Sequence, residues 1–354
     1  MGMTMKTDLS YWTMNDLLKL FQADVGRGTI IAAEREGRIP TAKRLDRGVK
    51  ARAWSMESLP AIGRLYGFIK PPKSQVRICV YTAKGGVLKT TISYTLARIL
   101  ALHGIKVLLV GLDSQGSATN LALNPLDNIE SLDQIPVYKN IGDLLFDGAD
   151  IKEVIQHTNL PTLDVIPETE SLADQNNRIG TQTALDATSK KASGRRRYQY
   201  FSKEFLPLVA NYEVIIFDNS PSWSYLIENS LFAADYVISP TACDPGSYQV
   251  LDNNLNATLD LGSRIGKVWK RLFLVPTLRD TNKLSSQIHA AYVSKYPDFI
   301  TNTSIRRTVK GAEAFSIGCS PIEYDVNSEL AADYFDLVKE IWSVILRDQN
   351  GTQS

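Results

Sequence analysis

A short stretch of glycine, lysine and threonine has the residue types needed to hold a polyphosphate. It reads Thr82-Ala83-Lys84-Gly85-Gly86-Val87-Leu88-Lys89-Thr90-Thr91 and lies between runs that predict a strand and a helix. Gly85 and Gly86 let the main chain approach a ligand without a Cβ, and the helix start supplies backbone N–H groups. Lys89 can place a charge on the β and γ phosphates, and the Thr90 hydroxyl can bind Mg²⁺. The alternative interpretation is a glycine turn with incidental lysines.

Two carboxylates follow apolar runs that predict strands. Asp113 comes after the run 106–112, and Asp218 comes after the run 214–217. Chemistry in a parallel sheet takes place at the carboxyl edge of the strands, where such acids can hold a metal or position a water molecule. An aspartate at a strand end can equally cap the next helix. Their combination with a phosphate loop favours the catalytic interpretation.

The loop resembles the deviant Walker A motif of the ParA/MinD family of ATPases. The shared pattern is Lys84-Gly85-Gly86-Val87-x-Lys89-Thr90-Thr91, in which Lys84 is the additional upstream lysine. The resemblance implies that ATP and Mg²⁺ are the cofactors. It also implies that Lys84 reaches across a nucleotide sandwich homodimer to the partner's ATP. Nucleotide binding and dimerisation would then be linked, since a ligand that binds one state preferentially stabilises that state.

The resemblance also assigns roles to the two acids. Residues 212–221 resemble the family's Walker B segment, which implies that Asp218 holds Mg²⁺ through a water molecule, with Thr90 as the other metal-binding residue. Asp113 matches the second acid of the family's DxDPQG switch segment, the acid that positions the attacking water. Gly111 replaces the first acid of that segment, and Ser114 replaces its proline. The loss of an acid near the metal predicts slow hydrolysis of ATP to ADP and phosphate.

One position in the loop also departs from the common pattern. Leu88 stands where most P-loops have their second glycine. Bulky residues occur there in plasmid-partition members that carry an N-terminal DNA-binding domain, so Leu88 indicates that branch.

The likeness to the family extends from about residue 76 to residue 346. Residues 233–240 resemble its AADxVIxP strand, and residues 276–280 stand where the family contacts adenine. Residues 305–314 resemble its IPRxVxxxEA segment, where Arg306, Arg307 and Lys310 can meet DNA phosphates without reading sequence. A solvated loop is the alternative for this basic group. The predicted nucleotide-binding residues are Lys84, Gly85, Gly86, Val87, Leu88, Lys89, Thr90, Thr91, Asp218, Pro276 and Thr277, and the predicted catalytic residues are Lys84, Lys89 and Asp113.

The elements around these residues predict an α/β fold of the P-loop NTPase type. A helical run follows the loop from about residue 89 to residue 103. Apolar runs that alternate with stretches long enough for helices predict buried strands at 76–81, 106–112, 163–166, 214–217, 236–239 and 271–275. This alternation predicts a doubly wound, mostly parallel sheet with helices on both faces. The polar stretch 176–197 ends in a basic cluster and is predicted as a solvated excursion or helix end, with a phosphate-contacting arm as the alternative.

Residues 1–72 predict a small DNA-binding domain, and residues 73–354 predict the ATPase domain. Pro71 and Pro72 mark the boundary, Thr13 precedes an amphipathic helix, and a second helix is predicted near Thr29. Residues 35–44 and 52–59 resemble the signature of MerR-like winged helix-turn-helix domains, with a basic turn as the wing. Residues 35–52 hold seven basic and two acidic side chains, enough for several phosphate contacts. A dimerisation or regulatory module is the alternative. The predicted DNA-binding residues are Arg35, Arg38, Lys43, Arg44, Arg52, Arg306, Arg307 and Lys310.

The composition excludes several other classes of protein. A net charge of +1 over 354 residues restricts any DNA contact to local basic clusters, and the scattered cysteines and histidines predict no structural zinc. No apolar run reaches the ~18 residues needed to span a bilayer, and there is no apolar signal-peptide core. The amphipathic helix predicted at 330–346 contains charges and is expected to pack on the core rather than on a membrane. A cytoplasmic, nucleoid-associated protein is expected.

Together these patterns predict a DNA-partition ATPase of plasmid or chromosome segregation. In that family ATP closes a homodimer, the dimer binds DNA nonspecifically, and a ParB-like centromere-binding partner stimulates hydrolysis and releases the DNA. The N-terminal resemblance implies site-specific autorepression in addition. The alternative is a nucleotide-responsive transcriptional repressor with little or no ATPase activity, which Leu88 and Gly111 keep open. A MinD-like cargo-positioning ATPase is disfavoured by the N-terminal segment and by the C-terminal tail.

Overall fold

The computed structural model describes residues 11–45, 51–123, 136–188 and 196–351, and the elements below are those of the described residues. The strands are β1 (Tyr11–Thr13), β2 (Lys43–Leu45), β3 (Ala51–Ser55), β4 (Val76–Val80), β5 (Val107–Leu112), β6 (Gln156–His157), β7 (Leu163–Ile166), β8 (Val214–Asn219), β9 (Tyr236–Ala242) and β10 (Arg271–Thr277). The helices are α1 (Met14–Leu20), α2 (Arg27–Arg35), α3 (Leu59–Tyr66), α4 (Lys89–Leu102), α5 (Ser117–Leu123), α6 (Ile141–Phe146), α7 (Ile151–Val154), α8 (Leu172–Thr188), α9 (Tyr225–Ala233), α10 (Pro245–Ile265), α11 (Lys283–Lys295), α12 (Val309–Ser316), α13 (Pro321–Tyr324) and α14 (Glu329–Gln349).

A seven-stranded sheet forms the centre of the larger part of the chain. Its order is β10-β9-β4-β8-β5-β7-β6. Neighbouring strands are parallel except at one edge, where β6 pairs antiparallel with β7. The predicted parallel α/β sheet is confirmed, and each of the six predicted strands is present within a few residues of its expected bounds. The two-residue β6 was not predicted, because so short an edge strand leaves no periodic signal.

The central strands are apolar along their whole length because both faces of the sheet are covered. Every residue of β5 and β8 is buried. Val107 and Leu109 pack in one core cluster with α4 and α14, whereas Leu108 and Val110 pack in a second cluster on the opposite face. Strands that are buried on both faces read as continuous apolar runs, which is why the sequence predicts them well.

The register of the sheet brings the candidate residues to one edge. Val80 and Gly111 both pair with Asp218, from the two sides of β8. The segments that follow β4, β5 and β7 therefore leave the sheet next to one another, at the carboxyl edge where ligands bind in open α/β sheets.

Two further predicted segments lie outside the sheet. The first part of the polar stretch 176–197 belongs to α8, and its basic residues Lys190, Lys191 and Arg195 lie outside the described residues. The apolar stripe of α14 is buried, including Tyr334, Phe335 and Trp342. This stripe covers the core, as predicted. Among the described helices, none is both long and apolar enough to cross a membrane.

The segment before β4 folds as two helices, a small antiparallel sheet and a third helix. Thr13 precedes α1 as predicted, and it caps the helix in a reciprocal pair with Asp16. The sheet order is β1-β3-β2, and the residues between β2 and β3 lie outside the described ranges. The position of β2 and β3 after the two helices agrees with the order that a winged helix-turn-helix requires, and the assignment as a DNA-binding domain stays a prediction.

This N-terminal unit is packed directly on the helix that carries the phosphate loop. Trp12, Leu17 and Ile62 belong to the same core cluster as Ile99 of α4 and Phe335 of α14. At Gly63 in α3, an added Cβ would lie 2.1 Å from the carbonyl oxygen of Leu102, so the two helices touch through their backbones. The N-terminal unit and the sheet therefore share one hydrophobic core.

Candidate nucleotide site

The loop between β4 and α4 presents a bare main chain to a cavity. An added Cβ at Gly85 or Gly86 would meet no described atom within 4 Å, and both residues line the cavity. Gly86 has a φ of +71°, in the left-handed region that favours glycine. The loop therefore leaves room for a ligand to contact its backbone N–H groups.

Leu88 adopts the conformation that a glycine would adopt at this position. Its φ is 69° and its ψ is 28°, and it directly precedes the first turn of α4. A left-handed non-glycine residue costs about 1–2 kcal/mol. The Leu88 side chain packs against the main core cluster and lines the cavity, contacts that offset part of this cost. Replacement of the glycine of most P-loops thus introduces strain here while the left-handed turn is kept.

Lys89 begins α4 and lies almost completely buried over the loop. Its Nζ donates a hydrogen bond to the carbonyl oxygen of Lys84 at 2.7 Å. Burial lowers the pKa of Lys89, and the charges of Asp218 and Asp113 act against that shift. The N-terminus of the helix adds a partial positive charge. The ammonium group, the helix end and the bare loop together form a site suited to a polyphosphate.

One carboxylate oxygen of Asp218 is free to bind a metal ion or a water molecule of its hydration shell. Its Oδ1 accepts a hydrogen bond from Ser93 Oγ at 2.6 Å. Its Oδ2 is buried and has no hydrogen-bond partner among the described residues. Burial raises the pKa of Asp218 to about 6, and the nearby hydroxyl groups of Ser93 and Thr90 act against that shift. An orphaned carboxylate oxygen beside a threonine hydroxyl fits the oxygen ligands of a hydrated Mg²⁺, which Thr90 and Asp218 would hold.

The buried Asp218 makes the stability of the nucleotide-free protein depend on pH. The pKa of Asp218 is raised to about 6 in the folded state, whereas an aspartate in the unfolded chain has a pKa of about 3.9. The contribution of Asp218 to the stability of the folded protein is therefore greatest below about pH 3.9, and it is lost as the pH rises through the folded-state pKa of Asp218. Asp218→Asn mimics the neutral acid. We expect the unfolding free energy of the variant, relative to wild type, to increase from about pH 4 to about pH 8, because only the wild type has to ionise a buried acid in this range.

Urea unfolding without Mg²⁺ at both pH values measures this difference. Asp260→Asn, at an exposed acid of α10, is the matched control and should follow the wild-type curve. A constant difference between Asp218→Asn and wild type across the pH range would contradict the raised pKa.

Asp113 lines the cavity directly after β5. Its Oδ1 accepts a hydrogen bond from the Gln115 backbone N–H at 3.1 Å. Its own backbone N–H donates to Glu168 Oε1 at 3.3 Å. Glu168 lies two residues after β7, and burial together with the charge of Asp218 raises the pKa of Glu168 well above its usual range. Sequence reasoning missed Glu168, for which the only signal is an acid just past the predicted strand 163–166.

The loop, Lys89, Thr90 and Asp113 open into one cavity of about 560 Å³. Its apolar lining includes Leu278, Phe315 and Tyr334. A volume of roughly 300–1,000 Å³ with a few convergent polar groups is typical of small-molecule sites. The cavity therefore has the size and the mixed polarity that a nucleotide requires.

Pro276 and Thr277, predicted as nucleotide-binding residues at the end of β10, do not line the cavity. Both are buried inside the strand, and the residue of this segment that lines the cavity is Leu278. The strand is two residues longer than predicted because Pro276 and Thr277 continue the pairing with β9. Thr277 Oγ1 donates to the carbonyl oxygen of Val87 at 3.2 Å, so Thr277 supports the loop.

Comparisons with known proteins identify the family. A family model described as "AAA domain" matches residues 75–268. The sporulation initiation inhibitor protein Soj of Bacillus subtilis (strain 168) is 33% identical over 265 residues, which cover 75% of this chain and 97% of Soj. The chain belongs to the ParA/Soj family of partition ATPases. The N-terminal unit lies outside the match to the family model.

Solved structures share the fold of this ParA/Soj member. A structure described as "Partition Protein" has a TM-score of 0.66 and 17% identity, and the match covers 94% of both chains. The cobyrinic acid a,c-diamide synthase from Mycobacterium smegmatis, with a bound ATP analogue and magnesium, has a TM-score of 0.58 and 22% identity, covering 78% of this chain and 97% of that chain. At these identities the likeness is one of fold.

Lys84, the additional lysine of the ParA/MinD-type loop, lies outside the lining of the cavity. Its Nζ donates to Asp244 Oδ1 at 3.1 Å and to Ser247 Oγ at 2.8 Å. Both partners lie at the N-terminus of α10, and Asp244 also caps that helix through the Ser247 backbone N–H. In the single chain the charge of Lys84 is therefore directed away from its own nucleotide site.

Two of the three predicted cations near the cavity are paired with acids. Arg306 forms ion pairs with Asp333, at 2.7 Å, and with Glu329. Lys310 pairs with Asp325 at 2.6 Å. Arg307 is exposed. The family segment therefore presents less net positive charge than its sequence suggests.

An arginine that sequence reasoning did not assign to DNA lies beside Arg307. Arg279 is exposed, and its carbonyl oxygen accepts a hydrogen bond from the Arg307 backbone N–H at 2.9 Å. The signal that would have found it is its position two residues after β10. Arg279 and Arg307 form a local pair of exposed cations near the mouth of the nucleotide cavity.

The predicted cations of the N-terminal unit lie at the end of α2, in the turn after it, and on β2 and β3. Arg52 on β3 is half-buried and pairs with Glu34 at 3.0 Å. Arg38 pairs with Glu36 at 2.7 Å. The exposed members of the set are Arg35, Arg38, Lys43 and Arg44. Arg52 thus stabilises the contact between β3 and α2, while the other four face solvent.

Proposed function

We propose that this chain is a DNA-partition ATPase in which ATP binding closes a homodimer and slow hydrolysis opens it. The observation that carries the proposal is the convergence of Lys89, Thr90 and Asp113 on one cavity, with Asp218 joined to the same helix through Ser93. Lys89 and the loop bind the phosphates of ATP, Thr90 and Asp218 hold Mg²⁺, and Asp113 positions the attacking water. A Mg²⁺ ion held by these residues would offset the charge that develops on the phosphates during transfer.

The position of Lys84 supports a role outside its own nucleotide site. Its side chain is 30% exposed, and of its two polar partners the Asp244 side chain is 37% exposed whereas Ser247 is buried. In the proposed dimer Lys84 exchanges these contacts for the phosphates of the partner's ATP. The exchange replaces one anionic partner by another, so the nucleotide becomes part of the interface between subunits.

Two surfaces support binding to DNA. The pair Arg279 and Arg307 offers phosphate contacts on the ATPase part, where binding is nonspecific. The exposed cations of α2 and β2 offer a second surface on the N-terminal unit, which we propose binds a specific site and represses the chain's own operon. A ParB-like centromere-binding partner stimulates hydrolysis, and nonspecific DNA binding places the protein on the nucleoid.

Asp113→Ala tests the assignment of the active site. We expect the variant to bind ATP and to dimerise as wild type does, because Asp113 does not contact the phosphate loop through any of its described hydrogen bonds. Its turnover should fall by about 10²–10⁴-fold, the usual contribution of a group that orients or deprotonates the nucleophile. Phosphate release with and without duplex DNA, together with light scattering, measures both properties.

Asp260→Ala on α10 is the matched control, since it removes an exposed acid away from the cavity lining. If Asp113→Ala hydrolysed ATP as fast as the control, Asp113 could not be the residue that positions the attacking water. Turnover that is undetectable in wild type, with DNA and the centromere-binding partner present, would instead favour the nucleotide-responsive repressor.

A further inference from the structure

The space beside Gly111 is occupied by a carboxylate from a different strand. An added Cβ at Gly111 would lie 2.1 Å from Glu168 Cγ, 2.6 Å from its Cδ and 2.9 Å from its Oε1. A side chain at position 111 and the Glu168 side chain therefore exclude each other. Position 111 is where the family's DxD pattern has its first acid, so this chain has lost one carboxylate and holds another in the same place.

Glu168 hydrogen-bonds both ends of the segment 113–119. Its Oε1 accepts from the Asp113 backbone N–H at 3.3 Å. Its Oε2 accepts from the backbone N–H groups of Ala118 and Thr119, at 2.9 Å and 3.4 Å. In return, the Glu168 backbone N–H donates to Thr119 Oγ1 at 2.6 Å. Four contacts thus join the end of β7 to the residue after β5 and to the first turn of α5.

The burial of Glu168 makes these contacts costly to lose. The residue is only 4% exposed. If its side chain is removed, the N–H groups of Ala118 and Thr119 are left in a buried place without their acceptor, which destabilises the local structure. The segment 113–119 would then have to reach water or rearrange, and Asp113 would move with it.

We propose that Glu168 is a positioning residue for Asp113, and that it supplies, from the loop after β7, the carboxyl group that position 111 lacks. It holds the segment 113–119 against the edge of the sheet, so that the Asp113 carboxylate stays at the wall of the cavity. Gly111 is required in this arrangement because any larger residue displaces Glu168. The proposal rests on the proposed ATPase activity for its kinetic test alone, and its structural test is independent of that activity.

Moving the carboxylate back to position 111 tests the proposal. The series is Glu168→Ala, Gly111→Asp and the double variant, all in the full chain, with Glu170→Ala as the control because Glu170 is an exposed acid of the same loop. In the double variant the carboxylate oxygens, two bonds beyond the Cβ at position 111, come within reach of the place that Glu168 Oε1 occupies. Glu168→Gln is the conservative variant, which keeps the size and loses one acceptor.

The first measurement is amide hydrogen exchange of residues 113–119 in the nucleotide-free protein. We expect exchange at least about tenfold faster in Glu168→Ala and Gly111→Asp, with protection restored in the double variant and unchanged in the control. If Glu168→Ala unfolds, Glu168→Gln provides the same comparison. Unchanged protection in every folded variant would overturn the proposal, whether or not the protein hydrolyses ATP.

The second measurement is the separation of kcat from KM for ATP. Glu168→Ala should lower kcat by about 100-fold, the effect expected of a displacement of about 1 Å, and change KM by less than about threefold because the phosphate loop is untouched. The double variant should recover most of kcat. A loss that the double variant does not recover, in a folded protein with restored protection, would overturn the link between Glu168 and Asp113.

Discussion

Replacing Lys89 with alanine should abolish nucleotide binding under conditions where wild type binds ATP. The ammonium group is held over the loop by the Lys84 carbonyl oxygen at 2.7 Å and lies beside bare glycine backbone. A charge-assisted hydrogen bond contributes about 1.5–3 kcal/mol, and the lysine can serve two phosphates. We therefore expect the affinity for ATP to fall by at least about 100-fold, since each 1.4 kcal/mol is a factor of ten. Titration calorimetry with Mg²⁺ and ATP measures the loss.

Lys84→Ala is the matched control, because it removes the same charge from the same loop. The Lys84 ammonium contacts Asp244 and Ser247 rather than the cavity. The control should keep the affinity of a single subunit for ATP and lose the ATP-dependent dimer. Wild-type affinity in Lys89→Ala would show that the loop is not the phosphate site, and equal losses in both variants would show that binding and dimerisation cannot be separated.

The sheet and the phosphate loop could be predicted from the sequence because both have strong local signals. Strands such as β5 and β8 are continuous apolar runs, since they are buried on both faces. The loop combines glycines, a lysine and a threonine at fixed spacing between a strand and a helix. Each signal is contained within about ten residues, so no knowledge of the tertiary structure is needed to recognise it.

The replacement of the missing acid could not be predicted, because it depends on a contact between distant positions. Gly111 predicts the absence of a carboxylate, and nothing near it in sequence indicates that Glu168 fills the same space. The two residues meet because β5 and β7 are neighbours in the sheet, which is a property of the topology. The expectation of slow hydrolysis rested on this absence, so it now depends on what Glu168 does.

The net charge of the surface near the cavity could not be predicted from the sequence either. Arg306, Arg307 and Lys310 form a basic group in sequence, but the acids that pair with Arg306 and Lys310 come from α14 and from the turn before it. Asp333 is 27 positions from Arg306, and Asp325 is 15 positions from Lys310. A local count of charge therefore overestimates the positive surface. Arg307 stays exposed, so its contact with DNA remains a prediction, and Arg279 lies beside it after β10.

One helix connects the nucleotide site with the N-terminal unit. The helix α4 has 14 residues, a length of about 21 Å at 1.5 Å per residue. Its first residue is Lys89, and its C-terminal end packs against α3, where the ring of His103 stands between Phe21 and Phe68. A shift of α4 on nucleotide binding would therefore displace the N-terminal unit, which carries the exposed cations of α2 and β2. A deletion of residues 1–72 would strip apolar cover from α4 and α14, so point variants are the better way to test the role of this unit.

Gly63→Ala should strongly destabilise the chain, because it forces apart the two helices that join these parts. The added Cβ would lie 2.1 Å from the Leu102 carbonyl oxygen, 2.6 Å from the ring of Phe21 and 2.9 Å from the Cα of His103. Two of these neighbours are backbone atoms, which no rotamer change can move. Overpacking in a well-packed core costs about 1–3 kcal/mol, and we expect a loss at the upper end of that range, measured by urea unfolding.

Gly28→Ala in α2 separates this clash from the general effect of replacing a helical glycine. An added Cβ at Gly28 meets no described atom within 4 Å, so the variant should match wild type or gain up to about 1 kcal/mol from the lower entropy of its unfolded chain. If Gly63→Ala were as stable as Gly28→Ala, α3 could not be in backbone contact with α4. Folded Gly63→Ala protein should also be tested for ATP binding. Weaker binding in this variant would link the contact between α3 and α4 to the nucleotide site. It would mean that a change made at the N-terminal end of the shared core reaches Lys89 through α4.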